Sequence, residues 1–415
     1  MGIRLDFHTR KAWGDRESGH YFAIFSVHKD VMVGSRVELN RGAGGDAAFG
    51  VQEPDGWRTK GGDNLLQAAF RQRPTFPPST WLVAETYSYQ IARGVNVTTL
   101  PSQMSALLAR EPDQPPERVM SLEKRPLPEP GIGDVLIQVE AGSFTPTELQ
   151  WPSTWVDRSG RDRRPVIPGH EVSGTVVALG DGTTGLSVGD EVFGLTDWYR
   201  DGSLAEFAAV EARNLATKPG SFSHVDAAAF PMTALTAWQA LFVHAHLKAG
   251  QTVVIHGAGG GVGTMAVQLA VSAGARVIGT GKPNARELVL QLGAEDYLDL
   301  AHDALGEVKG VDVVFDLVGG DVVHHSLPTL RPGGSLVSIV EAPNVERADV
   351  NAMYFVVEPN REQLTELARR IDTEHLRPVV GKVGVLSDGP RLWAEKVAGV
   401  IRGKVVLTPS SPAVL

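Results

Sequence analysis

From residue 104 onward, short apolar runs follow one another along the chain. Up to about residue 222, β-rich runs are separated by Gly, Pro and Asp, the residues that turns between strands require. The runs are Ser105–Ala109, Val135–Glu140, Val172–Leu179, Glu191–Leu195 and Ser203–Val210. Several short strands joined by such turns predict a compact β barrel or sandwich.

A different pattern begins at about Ser223. Ser223 and Asp226 have the spacing of a helix-capping box, and an Ala-rich segment follows them. Leu235–His244 is a second stretch of helical character, rich in Ala, Leu and aromatic residues. The chain therefore changes from strands to helices at this point.

Beyond residue 250, apolar strands alternate with helices. The predicted strands are Thr252–His256, Arg276–Thr280, Asp312–Asp316 and Ser335–Val340, and the predicted helices are Val262–Ala273 and Ala285–Leu292. Buried strands that alternate with helices are typical of a parallel, doubly wound sheet of the Rossmann type. A helix near Arg361–Arg370 and short strands near Val379 and Val405 complete the chain.

Residues 1–103 follow neither pattern. Apolar periodicity does not persist there, and glycine clusters at Gly42–Gly45 and Gly61–Gly62 interrupt any element that begins. We consider three interpretations: a start codon assigned too far upstream, a disordered extension, and a small domain. The first is favoured, because regular patterning begins immediately at Met104. The functional protein is expected to begin near Met104, after a poorly structured extension.

Composition narrows the class of protein. The chain of 415 residues suffices for two or three domains, and 42% hydrophobic with 21% charged residues is typical of a soluble globular protein. No run approaches the ~18–20 apolar residues of a membrane span, and no secretory signal is visible, so a cytoplasmic location is expected. The net charge of -9 argues against nucleic acid as a partner. The chain has no cysteine, which excludes disulfides, thiolate nucleophiles and zinc sites built on cysteine.

The strongest chemical signal is a glycine-rich turn between a predicted strand and a predicted helix. Ala258, Gly260 and Gly263 have the G-x-G-x-x-G spacing, with alanine in the first place. The first small residue permits the tight turn, the second lets the backbone approach a pyrophosphate, and the third lets the helix pack on the strand. The helix N-terminus then offers N–H groups and a partial positive charge to the phosphates. The residues expected to bind a dinucleotide here are Ala258, Gly259, Gly260, Gly261, Val262 and Gly263.

The end of the next strand indicates which dinucleotide is bound. An Asp or Glu at this place would hydrogen-bond the ribose hydroxyls of NAD. Here the chain reads Thr280, Gly281, Lys282, Pro283, Asn284, Ala285, Arg286, with no carboxylate. Gly281, Lys282 and Arg286 are expected to bind the cofactor here, and the two cations could neutralise a 2′-phosphate. The sequence therefore favours NADPH, although both cations could also be ordinary solvated surface charges.

Several motifs stand in a fixed order around this turn. They are Pro126–Gly131 with Asp134–Leu136, Pro165–Gly174, Val188–Gly194, Phe230–Ala240 and Leu330–Ser338. In this order they resemble the medium-chain dehydrogenase/reductase superfamily, and within it the zinc-independent, quinone-oxidoreductase-like branch of the zeta-crystallin type. The resemblance extends from about Met104 to Val406, and residues 1–103 have no counterpart in the family.

The resemblance implies an α/β architecture of two domains. A GroES-like barrel domain would comprise residues 104–225 and 356–415, and a Rossmann NADP-binding domain of residues 226–355 would be inserted between these segments. The resemblance also implies a homodimer, formed through the edge of the Rossmann sheet. The active site would lie in the cleft between the two domains.

Zinc-dependent members of that superfamily hold the metal with a cysteine, the histidine of Gly-His-Glu, and a second cysteine or acid. Gly169, His170 and Glu171 are present here, but the other two ligand positions fall near Thr145 and Met232. One imidazole and one carboxylate cannot complete a tetrahedral site, so no metal is expected. His170 is interpreted first as a hydrogen-bonding residue at a tight turn, with a catalytic acid as the alternative.

Without a metal, positioning against the nicotinamide could suffice for an acceptor that is already electrophilic. Thr145, Thr147, Tyr199 and His170 are the polar candidates for donating a hydrogen bond to the developing oxyanion, and each could equally be structural. By resemblance, Thr236 would lie beside the nicotinamide. The end of the strand at Val340 is a further candidate for cofactor contact.

The leading hypothesis is a zinc-independent, NADPH-dependent oxidoreductase that transfers hydride to a quinone or an α,β-unsaturated carbonyl. One alternative is an enoyl reductase that acts on larger thioester substrates. Another is a cofactor-binding sensor or structural protein without turnover, because one fold hosts several functions.

Overall fold

The computed structural model describes residues 7–15, 20–27, 31–38, 100–300, 302, 305–345 and 347–410. The chain divides into two compact units, residues 1–100 and 101–415. In the first unit, strands β1 (Phe7–Asp15), β2 (His20–Val27) and β3 (Val31–Glu38) form an antiparallel sheet in the order β1-β2-β3. No periodic pattern in the sequence predicts these strands. The rest of residues 1–99 lies outside the described part, so the interpretation of the extension stays a prediction.

The second unit begins with a strand hairpin and a larger sheet. β4 (Gln103–Ala109) pairs with β5 (Met120–Pro126), and a short helix α1 (Pro116–Val119) lies between them. The strands that follow are β6 (Asp134–Ser143), β7 (Glu171–Leu179), β8 (Glu191–Leu195), β9 (Phe207–Glu211) and β10 (Leu215–Thr217), with helix α2 (Pro152–Trp155) after β6. All of these strands pair antiparallel, so the strand-rich pattern of this half is confirmed.

One predicted strand is shorter than expected. The run Ser203–Val210 enters the sheet only at Phe207, where β9 begins. The backbone N–H groups of Ser203 and Leu204 instead donate to Gly169 and Pro168. The first part of the run is therefore used to fix the Gly-His-Glu segment rather than to extend the strand.

Two helices connect the strand-rich region to the second sheet. The Ser223 hydroxyl caps helix α3 (His224–Ala229) by accepting the N–H of Asp226, as the capping box predicts. Helix α4 (Pro231–Trp238) begins with proline at its first turn and continues as a π-helical segment, Gln239–His244. The predicted stretch Leu235–His244 is thus the second half of a longer helical element.

The second sheet has six parallel strands in the order β13-β12-β11-β14-β15-β16. Its elements in chain order are β11 (Thr252–His256), α5 (Gly261–Ser272), β12 (Arg276–Gly281), α6 (Arg286–Gln291), β13 (Asp296–Asp299), β14 (Val311–Asp316), α7 (Asp321–Ser326), β15 (Leu330–Ser338) and β16 (Asn351–Tyr354). The strand order reverses between β11 and β14, which makes this boundary the topological switch point. The predicted Rossmann-type sheet is confirmed.

Three boundaries or elements of this sheet differ from expectation. β15 ends at Ser338 rather than Val340, because the N–H of Val340 turns back to the Ser338 hydroxyl at 3.1 Å. The outer strands β13 and β16 were not predicted. Both have four residues, and β16 is largely exposed, so neither carries an apolar signal.

The C-terminal segment contributes to both parts of the unit. Helix α8 (Arg361–Glu374) packs its buried Leu364, Leu367 and Ile371 into the apolar core of the parallel sheet. Strands β17 (Val380–Val385) and β18 (Lys404–Thr408), with helix α9 (Gly389–Val397) between them, join the antiparallel sheet in the order β10-β8-β7-β6-β18-β17. The fold class is as predicted: a GroES-like domain completed by the C-terminal strands, and a Rossmann domain.

Within the described part of the chain, no helix combines the length and the apolar character needed to cross a bilayer. The cytoplasmic location stays a prediction.

Candidate functional site

The glycine-rich turn leads from β11 directly into α5. Gly257 has a φ of 68°, in the left-handed region that favours glycine. Gly260 is the N-cap residue of α5 and offers no side-chain hydrogen bond to the first turn. The N–H groups of that turn therefore have no side-chain cap, which is the condition for binding an anion at a helix N-terminus.

Two glycines of the turn have different roles: one allows close packing of helix on strand, and the other leaves space for a ligand. A Cβ at Gly263 would lie 2.3 Å from the carbonyl oxygen of Gly257, so this position admits only glycine. A Cβ at Gly260 would meet only that same oxygen, at 3.2 Å, and would otherwise point into open space. Gly263 thus allows the helix to pack on the strand, and Gly260 keeps a space open above the turn. The turn therefore fits the diphosphate of a dinucleotide.

The other positions of the turn divide into packing and surface residues. Ala258 is fully buried and donates its N–H to Thr280. A Cβ at Gly259 would lie 2.4 Å from the Cβ of Ala285, so Gly259 allows α6 to approach. Gly261 and Val262 are partly exposed at the start of α5. Gly260, Gly261 and Val262 are therefore the positions of the turn best placed for direct contact.

The end of β12 carries the two cations singled out in the sequence. Lys282 and Arg286 are both exposed. Arg286 donates one N–H to the carbonyl of Tyr297 at 2.6 Å, and the Tyr297 hydroxyl donates to the carbonyl of Lys282 at 2.7 Å. A Cβ at Gly281 would lie 2.8 Å from that hydroxyl, so tyrosine packs closely against the strand end. These contacts fix the segment that presents both cations.

A carboxylate that the sequence did not predict lies near the end of β12. Asp299 ends the neighbouring strand β13 and is the register partner of Gly281. Its carboxylate lies 2.7 Å from Nδ1 of His302. The sequence gives no hint of this proximity, because the two residues are joined only by the pairing of β12 with an unpredicted strand.

On the other side of the switch point, two exposed valines follow the ends of β14 and β15. Val318 is 48% exposed and Val340 is 46% exposed. A Cβ at Gly257 would lie 3.3 Å from Val318, so the loop after β14 borders the glycine-rich turn. Exposed apolar side chains at the carboxyl ends of parallel strands mark the crevice in which such sheets bind ligands.

Thr236 lies in α4 and is buried. Its hydroxyl donates to the carbonyl of Met232 at 2.6 Å, one turn earlier in the same helix. The hydroxyl hydrogen is therefore used within the helix, and only the lone pairs of the oxygen remain for a ligand.

In the GroES-like domain, Thr145 and His170 both carry a buried polar atom without a hydrogen-bond partner. These atoms are Oγ1 of Thr145 and Nε2 of His170. Nδ1 of His170 lies 2.7 Å from the Thr196 hydroxyl. Burial lowers the pKa of His170 to about 3, so its imidazole is neutral. Both residues therefore have hydrogen-bonding capacity that the protein itself does not satisfy.

Glu148 joins these two residues and was not recognised in the sequence. Its carboxyl accepts the N–H of Gly169 at 2.5 Å and that of Thr145 at 3.3 Å, and it lies 3.5 Å from Nε2 of His170. Complete burial raises the pKa of Glu148 to about 7. The signal for this residue was the spacing Thr145-x-x-Glu148, which places both ends of a short turn in the same cluster.

Two half-buried tryptophans flank the imidazole of His170. Trp151 stacks at 6.3 Å between ring centroids, and Trp198 stands edge-on at 5.1 Å. Tyr199 follows Trp198, is partly exposed, and has the Arg158 guanidinium 5.0 Å above its ring. The structure thus brings His170 together with two indoles, and it places Tyr199 at a neighbouring position closer to the surface.

A buried ion pair of the GroES-like domain lies beside the glycine-rich turn. Nζ of Lys404, on β18, donates to the Glu171 carboxylate and to the carbonyl of Phe144 at 3.0 Å. The Glu171 carboxylate also accepts the N–H of Met232 at 3.1 Å. A Cβ at Gly261 would lie 3.6 Å from Cδ of Lys404. The Lys404 side chain therefore lies next to the start of α5 with its ammonium paired to Glu171, and no sequence pattern marks this residue.

In the part of the chain that the structure describes, no three His, Cys, Asp or Glu residues are grouped as a metal site would require. Thr145 and Met232 occupy the positions that the resemblance gives for the family's other two ligands.

Comparisons with known proteins agree with this architecture. Residues 131–220 match the family model of the alcohol dehydrogenase GroES-like domain, and residues 261–358 match that of zinc-binding dehydrogenases. A probable zinc-binding oxidoreductase of Arthroderma benhamiae is 30% identical over 315 residues, covering 70% of this chain and 94% of that protein. An NADPH-dependent alkenal/one oxidoreductase of Arabidopsis thaliana is 30% identical over 315 residues, covering 72% and 78%.

The fold comparison gives the same result. The solved quinone oxidoreductase of Coxiella burnetii superposes with a TM-score of 0.68 at 29% identity, covering 74% of this chain and all of that one. The two family models match the two domains in the order in which the chain contains them. The chain therefore belongs to the medium-chain dehydrogenase/reductase superfamily of NAD(P)H-dependent oxidoreductases, on its quinone-oxidoreductase-like branch.

Proposed function

We propose that this protein is an NADPH-dependent reductase that transfers hydride to a quinone or an α,β-unsaturated carbonyl without zinc. The names of the Arabidopsis and Coxiella relatives support this class of small-molecule acceptor. The observation that carries the proposal is that two of the three buried polar atoms without a partner among the described residues, Oγ1 of Thr145 and Nε2 of His170, belong to one cluster around Glu148. Buried polar atoms without partners are rare, and at an enzyme cleft they indicate where a ligand atom completes the hydrogen bonds.

The Rossmann domain supplies the cofactor site. Backbone N–H groups at Gly261 and Val262 would bind the diphosphate, supported by the partial positive charge of α5. Lys282 and Arg286 would bind the 2′-phosphate. Their exposure leaves them accessible to a ligand, and the neighbouring Asp299 carboxylate opposes this preference by charge.

The nicotinamide would extend towards the switch point. Val318 and Val340 present apolar side chains there, and the Thr236 hydroxyl oxygen would be a further contact. A bound NADPH supplies the hydride. The protein's own part is to orient the acceptor against the ring and to exclude water.

The GroES-like domain supplies groups for the acceptor. The Thr145 hydroxyl, and Nε2 of His170 when it carries the hydrogen, would donate to the oxygen of the acceptor, on which negative charge develops. Because the His170 imidazole is neutral, it acts as a hydrogen-bond donor rather than as a cation. Tyr199 lies closer to the surface and would contact the outer part of the substrate.

Zinc has no role in this proposal because of the residues present. The chain has no cysteine, and the threonine and methionine at the family's other ligand positions do not bind zinc. A neutral donor pair of threonine and histidine suits acceptors that are already electrophilic and need no Lewis acid.

The proposal is tested by following NADPH oxidation with a panel of quinones, enones and enoyl thioesters. We expect turnover with a quinone or an enone. Thr145→Val should then lower kcat about tenfold, because one donor to the oxyanion is lost, and should leave the KM for NADPH unchanged. Thr365→Val, at an exposed position of α8, is the matched control and should have no effect.

Other outcomes of the panel distinguish the alternatives. Consumption of NADPH with thioesters only would identify an enoyl reductase. Tight NADPH binding without turnover on any acceptor would identify a sensor or structural protein. Equal activity of the wild type and Thr145→Val would show that Thr145 does not donate to the acceptor oxygen.

We further propose a homodimer formed through the edge of the Rossmann sheet. β16 is the last strand of that sheet, and Tyr354 at its end is 42% exposed. An exposed sheet edge with an apolar side chain is a surface on which a second copy can pair.

Size-exclusion chromatography with light scattering tests the dimer. The wild type should have twice the mass of one chain, and Tyr354→Glu should shift the population to monomer, because it places charge in the contact. Ile132→Glu changes an apolar residue of the GroES-like domain that is 88% exposed and should leave the dimer intact. A monomeric wild type would contradict the proposal.

A further inference from the structure

Asp316 is a buried carboxylate at the switch point of the Rossmann sheet. It is the last residue of β14 and is fully buried. β14 pairs with β11, the strand that leads into the glycine-rich turn. Asp316 therefore lies beneath the crevice in which this fold binds ligands.

The carboxylate holds the two loops that border this crevice. Oδ1 of Asp316 accepts the N–H groups of Val318 and Gly319, both at 3.0 Å. Oδ2 accepts the hydroxyl of Ser338 at 2.7 Å. The Ser338 oxygen in turn accepts the N–H of Val340 at 3.1 Å. Asp316 thus fixes the exposed valines of both strand ends, directly or through one serine.

No cation neutralises this carboxylate within the described residues. Asp316 takes part in no ion pair there, and its carboxylate oxygens are occupied by two backbone N–H groups and one hydroxyl. His256 is the nearby titratable group, and burial lowers its pKa to about 4, so it is neutral at pH 7. Glu341, on the loop after β15, accepts the N–H of Gly320 and adds a second negative charge. The field at this end of the crevice is therefore negative.

We propose that Asp316 makes the site bind the oxidised, positively charged nicotinamide ring more tightly relative to the reduced, neutral ring. The inference rests on the proposed function. It goes beyond that function because it assigns to Asp316, below the nicotinamide site, an electrostatic effect on the bound ring. A buried charge interacts with a nearby ligand through the protein interior, where the dielectric constant is low and salt screens the interaction only weakly. In the proposed direction, in which the reduced cofactor is consumed, this preference favours hydride transfer within the bound complex.

The test is the ratio of two equilibrium dissociation constants, Kd for NADP⁺ divided by Kd for NADPH, measured by calorimetry. Asp316→Asn removes the charge at nearly constant volume and should raise this ratio about tenfold, because only the oxidised ring loses an attraction. Ser338→Ala removes a loop contact but keeps the charge. It should weaken both cofactors alike and leave the ratio unchanged.

Each result has one meaning. If Asp316→Asn weakens both cofactors equally, the residue only shapes the loops and the inference is overturned. Should that variant fail to fold, Asp316→Ser, which also removes the charge and keeps a hydroxyl for the loop contacts, replaces it with the same expected rise, and an unchanged ratio overturns the inference. If the wild type binds neither cofactor, the proposed function fails instead.

Discussion

Gly260→Val is expected to abolish NADPH binding, with a loss in affinity of at least about a hundredfold. The added side chain would enter the space above the turn and keep the diphosphate from the N–H groups at the start of α5. Losing two charge-assisted hydrogen bonds of about 1.5–3 kcal/mol each accounts for this magnitude. Fluorescence titration with NADPH measures it.

The fold should survive this change. Gly260 is exposed, its φ of -79° and ψ of 174° suit any residue, and the nearest atom to an added Cβ is 3.2 Å away. Gly220→Val is the matched control, because Gly220 lies on an exposed turn with no neighbour within 4 Å of a Cβ. A Gly260→Val protein that melts like the wild type and binds NADPH with undiminished affinity would exclude this turn as the diphosphate site.

The double variant Lys282→Ala, Arg286→Ala is expected to lower the affinity for NADPH on the order of thirtyfold while changing that for NADH less than about twofold. Only NADPH carries the 2′-phosphate that the two cations would bind. Because both side chains are exposed, solvent screens each interaction, which keeps the expected loss below that at a buried site. Paired titrations with the two cofactors give both numbers.

The control must remove the same charge elsewhere. Lys248 and Lys309 are exposed and precede β11 and β14, at the opposite end of the sheet from the cofactor site. Lys248→Ala, Lys309→Ala should weaken NADPH only slightly. Equal losses of NADPH and NADH in the Lys282, Arg286 variant would show that these residues support the fold of the strand end and do not select the phosphate.

The sequence was sufficient for elements in which neighbouring residues determine the structure. Thr252–His256 has the predicted bounds. A continuous apolar run that ends at a glycine is typical of a buried strand in a parallel sheet. The capping box at Ser223 was likewise predictable, since its two residues contact each other locally. The same is true of Gly263, whose spacing reflects the close contact between helix and strand.

The polar networks could not be predicted, because they join residues that are distant in sequence. Glu148 meets His170 through a turn after β6 and the segment before β7. Lys404 reaches Glu171 across 233 positions. Asp316 and Ser338 lie on adjacent strands whose register only the folded sheet defines. In each case a single residue type gives no indication of its partner.

The short outer strands were missed for a different reason. β16 lies at a sheet edge and is mostly solvated, so its residues need no apolar alternation. Asp299 was not predicted either, because it ends the unpredicted strand β13. It pairs with Gly281, next to the two cations that would distinguish NADPH from NADH.

The most direct measurement is a crystal structure of the protein with NADP⁺ bound. We predict that the diphosphate lies against the backbone of Gly260, Gly261 and Val262, with the nicotinamide between Thr236 and Val340. A dinucleotide bound at any other place on the chain would contradict the assignment of the site and the reductase mechanism built on it.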